Sequence, residues 1–344
     1  MSAKAIREYN GKKLVSKWLS KYSQNEKYDL EERALLITCN DVNPADPSSF
    51  QKIADANPWV LSSNLVAKPD QLIKRRGKAG LLAVNKTWSQ VVEWISERMN
   101  KECKVEIVSG ILDHFIVEPF CPHQQSDEYY LCLQSFRDRD EILFYHEGGV
   151  DVGDVDSKGV RLSIPLSETL SSQRVVSSLI TLVPKERQEY LAGFIVALFN
   201  LFRDLNFVYL EINPLVMTSD KKITVLDMAA KIDETAHFLN SSQWGNIDFP
   251  APFGRAEYPE EAFIKKLDQG SGSSLKLTIL NPNGRIWTMV AGGGASVVYA
   301  DTIADLGFGA ELANYGEYSG APTLSETYDY AKTIFSLMCR NKVT

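Results

Sequence analysis

The stretch that decides the fold is Val208-Tyr-Leu-Glu-Ile-Asn-Pro-Leu-Val-Met217, followed by Thr218-Ser-Asp-Lys-Lys222 and Ile223-Thr-Val-Leu-Asp-Met-Ala-Ala230. The outer segments have strand composition and the middle one is a polar turn, so the run predicts a hairpin. Symmetry about Asp220 would set Asn213 opposite Asp227. Side chains alternate along a strand, which puts Glu211 on the same face. Two carboxylates and an amide oxygen then converge, a hard-oxygen set suited to Mg²⁺ carrying a nucleotide phosphate. A polar, solvent-facing stripe fits the same alternation.

Around this hairpin the chain reads as α/β. Lys185–Leu205 has the periodicity of a long amphipathic helix. Tyr129–Ser135 and Glu141–His146 predict paired strands. Phe115–Phe120 predicts a strand ending at Pro119, and Leu61–Ala67 one stopped at Pro69. Leu82–Val84 predicts another strand and Trp88–Met99 a helix. Helical spacing runs from Ala5 through Leu14 to Trp18, with its lysines on a solvated face. Residues 24–60 resist subdivision.

A composition shift at Trp244–Gly254, with two prolines and two glycines, predicts a linker. Beyond it come a helix near Tyr258–Leu267 with Pro259 in its first turn, and strands over Leu275–Leu280 and Arg285–Val290. A helix from Ser296 to Leu306 and another over Thr323–Cys339, with a capping box at Thr323 and Glu326, complete the chain.

The 344 residues are 44% hydrophobic and 24% charged, ordinary for a soluble protein of two or three domains. A net charge of −7 without a basic block argues against nucleic acid. No run of about 18 apolar residues is present, so no membrane span is expected, and no secretory signal follows the N-terminal lysines. Five scattered cysteines fit reduced thiols in a cytoplasmic protein.

Three further segments carry candidate chemistry. Lys68 ends a strand and Arg75-Arg76-Gly77-Lys78 follows, where cations beside permissive glycines suit phosphate oxygens, or form a basic surface turn. Glu118-Pro-Phe-Cys-Pro122 could offer backbone groups to an adenine edge, or simply end a strand. Glu128 could accept from ribose hydroxyls. Gly292-Gly-Gly294 between strand and helix suits a carboxylate or phosphate at the helix N-terminus; the alternative is a tight turn needing one glycine. The four histidines, His114, His123, His146 and His237, show no ligand spacing and read as structural or surface residues. Asp151–Asp156 misses the EF-hand pattern and reads as a polar loop.

Taken together, Asn64–Lys78, Tyr145–Asp154, Tyr209–Leu215, Ile286–Ser296 and Asn314–Pro322 closely resemble the N-terminal part of the ATP-citrate lyase (ATP-citrate synthase) family. The resemblance covers nearly the whole chain, least well over 24–60 and 155–185. It implies an ATP-grasp domain over 1–243, a linker over 244–257, and a truncated Rossmann-like citrate-binding domain over 258–344. It implies ATP phosphates at Lys68, Arg76 and Gly77, adenine at Pro119 and Cys121, ribose at Glu128, and Mg²⁺ at Asn213 and Asp227. Asp268, Ser271 and Ser273 resemble a second, structural cation site. Citrate would lie among Gly292, Gly293, Gly294, Ala295, Ser296 and Gly320.

The family chain is longer than this one. Its phosphorylated histidine, CoA site, lyase module and a citrate-binding arginine lie beyond Thr344, so CoA would enter only through those regions or a partner chain. Losing that arginine contact costs about 1.5–3 kcal/mol. This chain alone is expected to bind ATP and citrate without completing the reaction. The full-length family forms homotetramers; a monomer is the open alternative here. Two other readings stay open: a non-catalytic nucleotide- and citrate-binding short form, and a succinyl-CoA ligase-like nucleotide-binding subunit.

Overall fold

The computed structural model describes residues 3–23, 26–149, 152–255, 258–270 and 272–340. It divides into two units after Arg255.

The first unit opens with strand β1 (Ala3–Ile6), then helix α1 (Glu8–Trp18). Helical spacing predicts Ala5 and Ile6 as part of the helix. Both instead pair with the hairpin's return strand, Ala5 opposite Lys231 and Ile6 opposite Ala230. Tertiary pairing overrides local propensity there. The start of α1 has no cap of its own; Asp70, distant in sequence, accepts from the N–H groups of Glu8 and Tyr9 at 2.8 and 3.1 Å.

Strands β2 (Leu65–Pro69) and β3 (His114–Pro119) form the centre of a four-stranded antiparallel sheet, flanked by Ala83–Lys86 and Leu35–Thr38. Helix Trp88–Ser96 contributes Val91 and Ile95 to its core. Leu61 and Ser62, read as strand, belong to a helical turn, Trp59–Ser62, started by Pro58.

The larger sheet holds β4 (Glu128–Ser135) and β5 (Arg139–Tyr145), antiparallel as expected. Helix α2 (Lys185–Asp204) precedes the decisive hairpin: β6 (Phe207–Met217), β7 (Lys222–Val225) and β8 (Met228–Asp233). The order is β1–β8–β6–β4–β5, with Val160–Pro165 beyond β5 and β7 paired to β6. Leu191, Phe194, Ile195, Leu198, Phe199 and Phe202 of α2 are fully buried in this core. Each such side chain contributes about 1.5–3 kcal/mol over exposure. The run read as a linker is not free of this unit: Ile247 and Phe249 pack on the larger core and Phe253 on the smaller one.

The second unit contains α3 (Pro259–Gly270), β9 (Ser274–Ile279), β10 (Val290–Ala291), α4 (Gly293–Ile303), β11 (Asn314–Ser319) and α5 (Leu324–Cys339). Its sheet runs β9–β11–β10, with β10 and β11 parallel across α4 and β9 antiparallel. One βαβ unit is thus present. The strand expected over Arg285–Val290 is reduced to β10 and a bridge from Ile286 to Leu312. The reason is Asn314: its fully buried amide binds both Thr288 N–H and C=O, at 2.8 and 2.9 Å, where a neighbouring backbone would otherwise pair. The capping box of α5 forms at Thr323 and Glu326.

Candidate functional site

The hairpin is symmetric about Asp220. Leu215 pairs with Val225 and Ile212 with Met228, and between them the Asn213 N–H donates to the Asp227 carbonyl at 3.1 Å. The Asn213 side-chain oxygen accepts from Gly149 N–H at 2.8 Å. The Glu211 carboxylate takes the Tyr209 hydroxyl, and the register partner of Glu211 is Cys132. Burial, with the Glu211 charge adding, pushes the Cys132 thiol up to about 12.

Asp227 instead meets the cationic segment. Arg76 Nη2 donates to Asp227 Oδ1 and to Glu8 Oε2, both at 2.5 Å, while Nη1 donates to the Pro69 carbonyl at 2.7 Å. Lys68 Nζ reaches Glu8 Oε1 at 2.7 Å and lies 3.4 Å from Glu118. Lys12 binds Glu8 at 2.7 Å and Glu118 at 2.6 Å. Lys12, expected on a solvated face, has a side chain only 9% exposed, because the carboxylates of Glu8 and Glu118 draw it inward. Gly77 lies in the turn just after Arg76, where the Leu81 and Gly80 N–H groups return to the carbonyls of Arg76 and Gly77.

The electrostatics follow from this convergence. Burial pushes the Glu8 carboxyl up, but Arg76, Lys12 and Lys68 overcome it and hold it well below the usual range. Burial works against the charge on Lys68, yet Glu8, Glu118 and Asp227 leave it raised. Asp70 behaves oppositely: burial, reinforced by Glu8, pushes it up to about 6.

At the end of β3, the chain passes through Pro119 and Cys121. His123 bonds the Cys121 carbonyl through Nδ1 at 2.7 Å and Glu128 through Nε2 at 2.9 Å. Asp127 is held by Arg187 of α2 at 2.7 Å. A cleft of about 1130 Å³ takes in Pro119 and Cys121, but not Lys68, Arg76, Glu128, Asn213 or Asp227.

In the second unit Gly292, at φ 100°, caps α4, a conformation that favours glycine. Gly293, Gly294, Ala295 and Ser296 form the first turn, with Ser296 buried and donating to the Gly292 carbonyl at 3.0 Å. Gly320, at φ 73°, follows β11. A Cβ on Gly293 would lie 2.9 Å from the Glu317 carboxylate, which therefore flanks this helix start. Asp268 accepts from Leu275 N–H at 2.8 Å and pairs with Lys276 at 2.5 Å. Ser273 is described, whereas Ser271 lies outside the described residues.

Sequence reasoning missed Glu8, Lys12, Asp70, Glu118 and Glu317. The signal for Glu8 and Lys12 was their i, i+4 spacing on a helix, which usually marks an exposed pair.

Comparison with known proteins identifies relatives of both parts of the chain. The model of the ATP-citrate synthase ATP-grasp domain matches residues 2–244, and that of the ATP citrate lyase citrate-binding domain matches 255–344. Human ATP-citrate synthase is 53% identical over 342 residues, which are 99% of this chain and 30% of that protein. The probable ATP-citrate synthase subunit 2 of Schizosaccharomyces pombe is 45% identical, with 99% of this chain and 80% of that protein covered. The structure of ATP citrate lyase from Methanothrix soehngenii in complex with citrate and coenzyme A aligns with a TM-score of 0.85 at 39% identity, covering 98% of this chain and 78% of that one. This chain belongs to the ATP-citrate lyase (ATP-citrate synthase) family.

Proposed function

We propose that this chain is the Mg-ATP- and citrate-binding portion of an ATP-citrate lyase, serving ATP-dependent formation of acetyl-CoA and oxaloacetate from citrate and CoA in the cytoplasm. The observation that carries the reading is the Arg76–Asp227 pair. There the cation that the resemblance implies for phosphate and the carboxylate that it implies for metal neutralise each other. Lys68, Arg76 and Gly77 would take the phosphates, the backbone of Pro119 and Cys121 the adenine, and Glu128 the ribose.

The hairpin fits a magnesium ion. Among the described residues no group of three or more His, Cys, Asp or Glu could form an all-protein metal cage. Mg²⁺ characteristically uses one or two carboxylates and completes its shell with water and phosphate oxygens. Asp227 and the Asn213 oxygen would supply the protein's share. When bound, the ion neutralises phosphate charge. Asp227, taken up by it, would release Arg76 towards the phosphates.

Citrate would meet the α4 N-terminus at Gly292–Ser296, with Gly320 nearby in the same unit. A structural cation at Asp268, Ser271 and Ser273 would have to displace Lys276 from Asp268.

Each histidine has a local partner: His114 pairs with Asp113, His123 with Glu128, His146 packs on Tyr145 and His237 on Trp244; we read none of them as the phosphoryl acceptor. The accepting histidine and CoA site would come from sequence beyond these residues or from a partner chain, as the subunit naming of the fission yeast relative suggests. Purified 344-residue chain given ATP, citrate, CoA and Mg²⁺ should form neither acetyl-CoA nor acid-labile phosphohistidine. Steady acetyl-CoA production, free of full-length contaminant, would overturn the division of labour.

A further inference from the structure

Glu8 lies in the first turn of α1 and belongs to no recognisable motif. Both its oxygens are taken: Oε1 by Lys12 and Lys68, each at 2.7 Å, and Oε2 by Arg76 at 2.5 Å. Its own N–H is fixed by Asp70 at 2.8 Å. Two of its three cationic partners are the side chains expected to face nucleotide phosphates.

In this cluster Lys12, Lys68 and Arg76 face Glu8, Glu118 and Asp227, with Asp70 beside them on the Glu8 N–H. Exposure separates the three anions. The side chains are 3% exposed for Glu8, 15% for Glu118 and 47% for Asp227. Asp227 can therefore exchange partners at little desolvation cost. A buried carboxylate holding three cations cannot leave without taking a partner from each of them. The Arg76 Nη2 group carries two hydrogens, one on Glu8 and one on Asp227. When Asp227 departs, one hydrogen is freed while the other stays anchored, so the guanidinium keeps its aim.

We propose that Glu8 is a positioning residue for nucleotide phosphates: the fixed anchor that keeps Lys68 and Arg76 aimed while Asp227 is exchanged for ligand. The inference rests on the Mg-ATP reading above. Restraining two phosphate ligands in advance lowers the ordering cost of binding.

The test compares the unmodified chain with Glu8→Gln and Glu8→Asp, measuring Mg-ATP by calorimetry and adenosine by NMR titration. Glu8→Gln keeps the shape and removes the charge. It should weaken Mg-ATP about tenfold or more, the scale of a lost charge-assisted hydrogen bond, and leave adenosine within about twofold. Glu8→Asp, restoring the charge at shorter reach, should recover part of that loss. A purely structural role would weaken both ligands alike, so parallel losses overturn the inference, as does Mg-ATP affinity unchanged in Glu8→Gln. Should Glu8→Gln fail to fold, Glu8→Asp decides alone: a severalfold loss confined to Mg-ATP supports the anchor, and equal losses or none overturn it. An unmodified chain that binds no Mg-ATP overturns the nucleotide reading and the anchor with it, an outcome distinct from failure of the Glu8 variants alone.

Discussion

The two proposed ligand sites are made of different material. The nucleotide pole is assembled from side chains on separated stretches: Glu8 and Lys12, Lys68 and Arg76, Glu118, and Asp227. The citrate pole is largely backbone, drawn from the single run Gly292–Ser296. Side-chain charges can neutralise one another without ligand, and here they do. The N–H groups of a helix start have no such freedom; they are answered by water, a cap or a ligand. The first site is thus governed by exchange of partners, and the second by what stands beside an open helix end.

The sharpest way to break this contrast is at Asp227, where exchange predicts opposite effects with and without metal. Asp227→Asn should weaken Mg-ATP about a hundredfold, having removed the carboxylate of the metal pair. With metal chelated, the same substitution should leave ATP binding unchanged or tighter, because Arg76 no longer has a competing anion. Calorimetry in Mg²⁺ and in EDTA separates the two. A parallel loss in both conditions would mean that Asp227 does not compete with phosphate.

The next effect is at Arg76. Arg76→Ala removes a charge-assisted partner worth about 1.5–3 kcal/mol, so Mg-ATP should weaken about ten- to a hundredfold. Adenosine, which lacks phosphates, should bind within about twofold of its original affinity. Equal losses would point to a disturbed fold, since Arg76 also braces Glu8 and the Pro69 carbonyl.

The contrast also explains what could be read in advance. The hairpin was legible because register follows from turn symmetry, and the Asn213–Asp227 pairing came with it. The glycine run was legible as the passage from strand to helix, but α4 starts at Gly293 and not at Ser296, because glycine's low helix propensity hides a first turn made of it. Glu8 and Lys12 were not legible, since an acidic and a basic residue four apart on a helix ordinarily face solvent. Only the ion pairs to Lys68 of β2 and Glu118 of β3, distant in sequence, turn that pair inward. Glu211 marks a limit of the pattern: its carboxylate accepts from the Tyr209 hydroxyl, a contact that alternation does not specify. Alternation gives a direction, not a partner. Ala5 and Ile6 were assigned to the helix because short strands at a sheet edge leave too few residues for a period-two signal.

The smallest predicted effect sharpens the citrate pole. Glu317 is the carboxylate beside Gly293, and Ser319 and Tyr315 both donate to it, at 3.0 and 3.4 Å. A tricarboxylate arriving at the start of α4 would feel the favourable helix dipole and the unfavourable Glu317 charge together. Like-charge terms at partly exposed positions are of the order of 0.2–1 kcal/mol, so Glu317→Gln should tighten citrate by about two- to fivefold. Salt distinguishes this from a packing effect. Screening weakens attraction and repulsion alike, so citrate should bind the unmodified chain less well as salt rises, and the advantage of Glu317→Gln should shrink over the same range. Citrate titrations at low and high ionic strength measure both trends. An advantage independent of salt would assign Glu317 a steric role, and no advantage at all would place citrate away from Gly293.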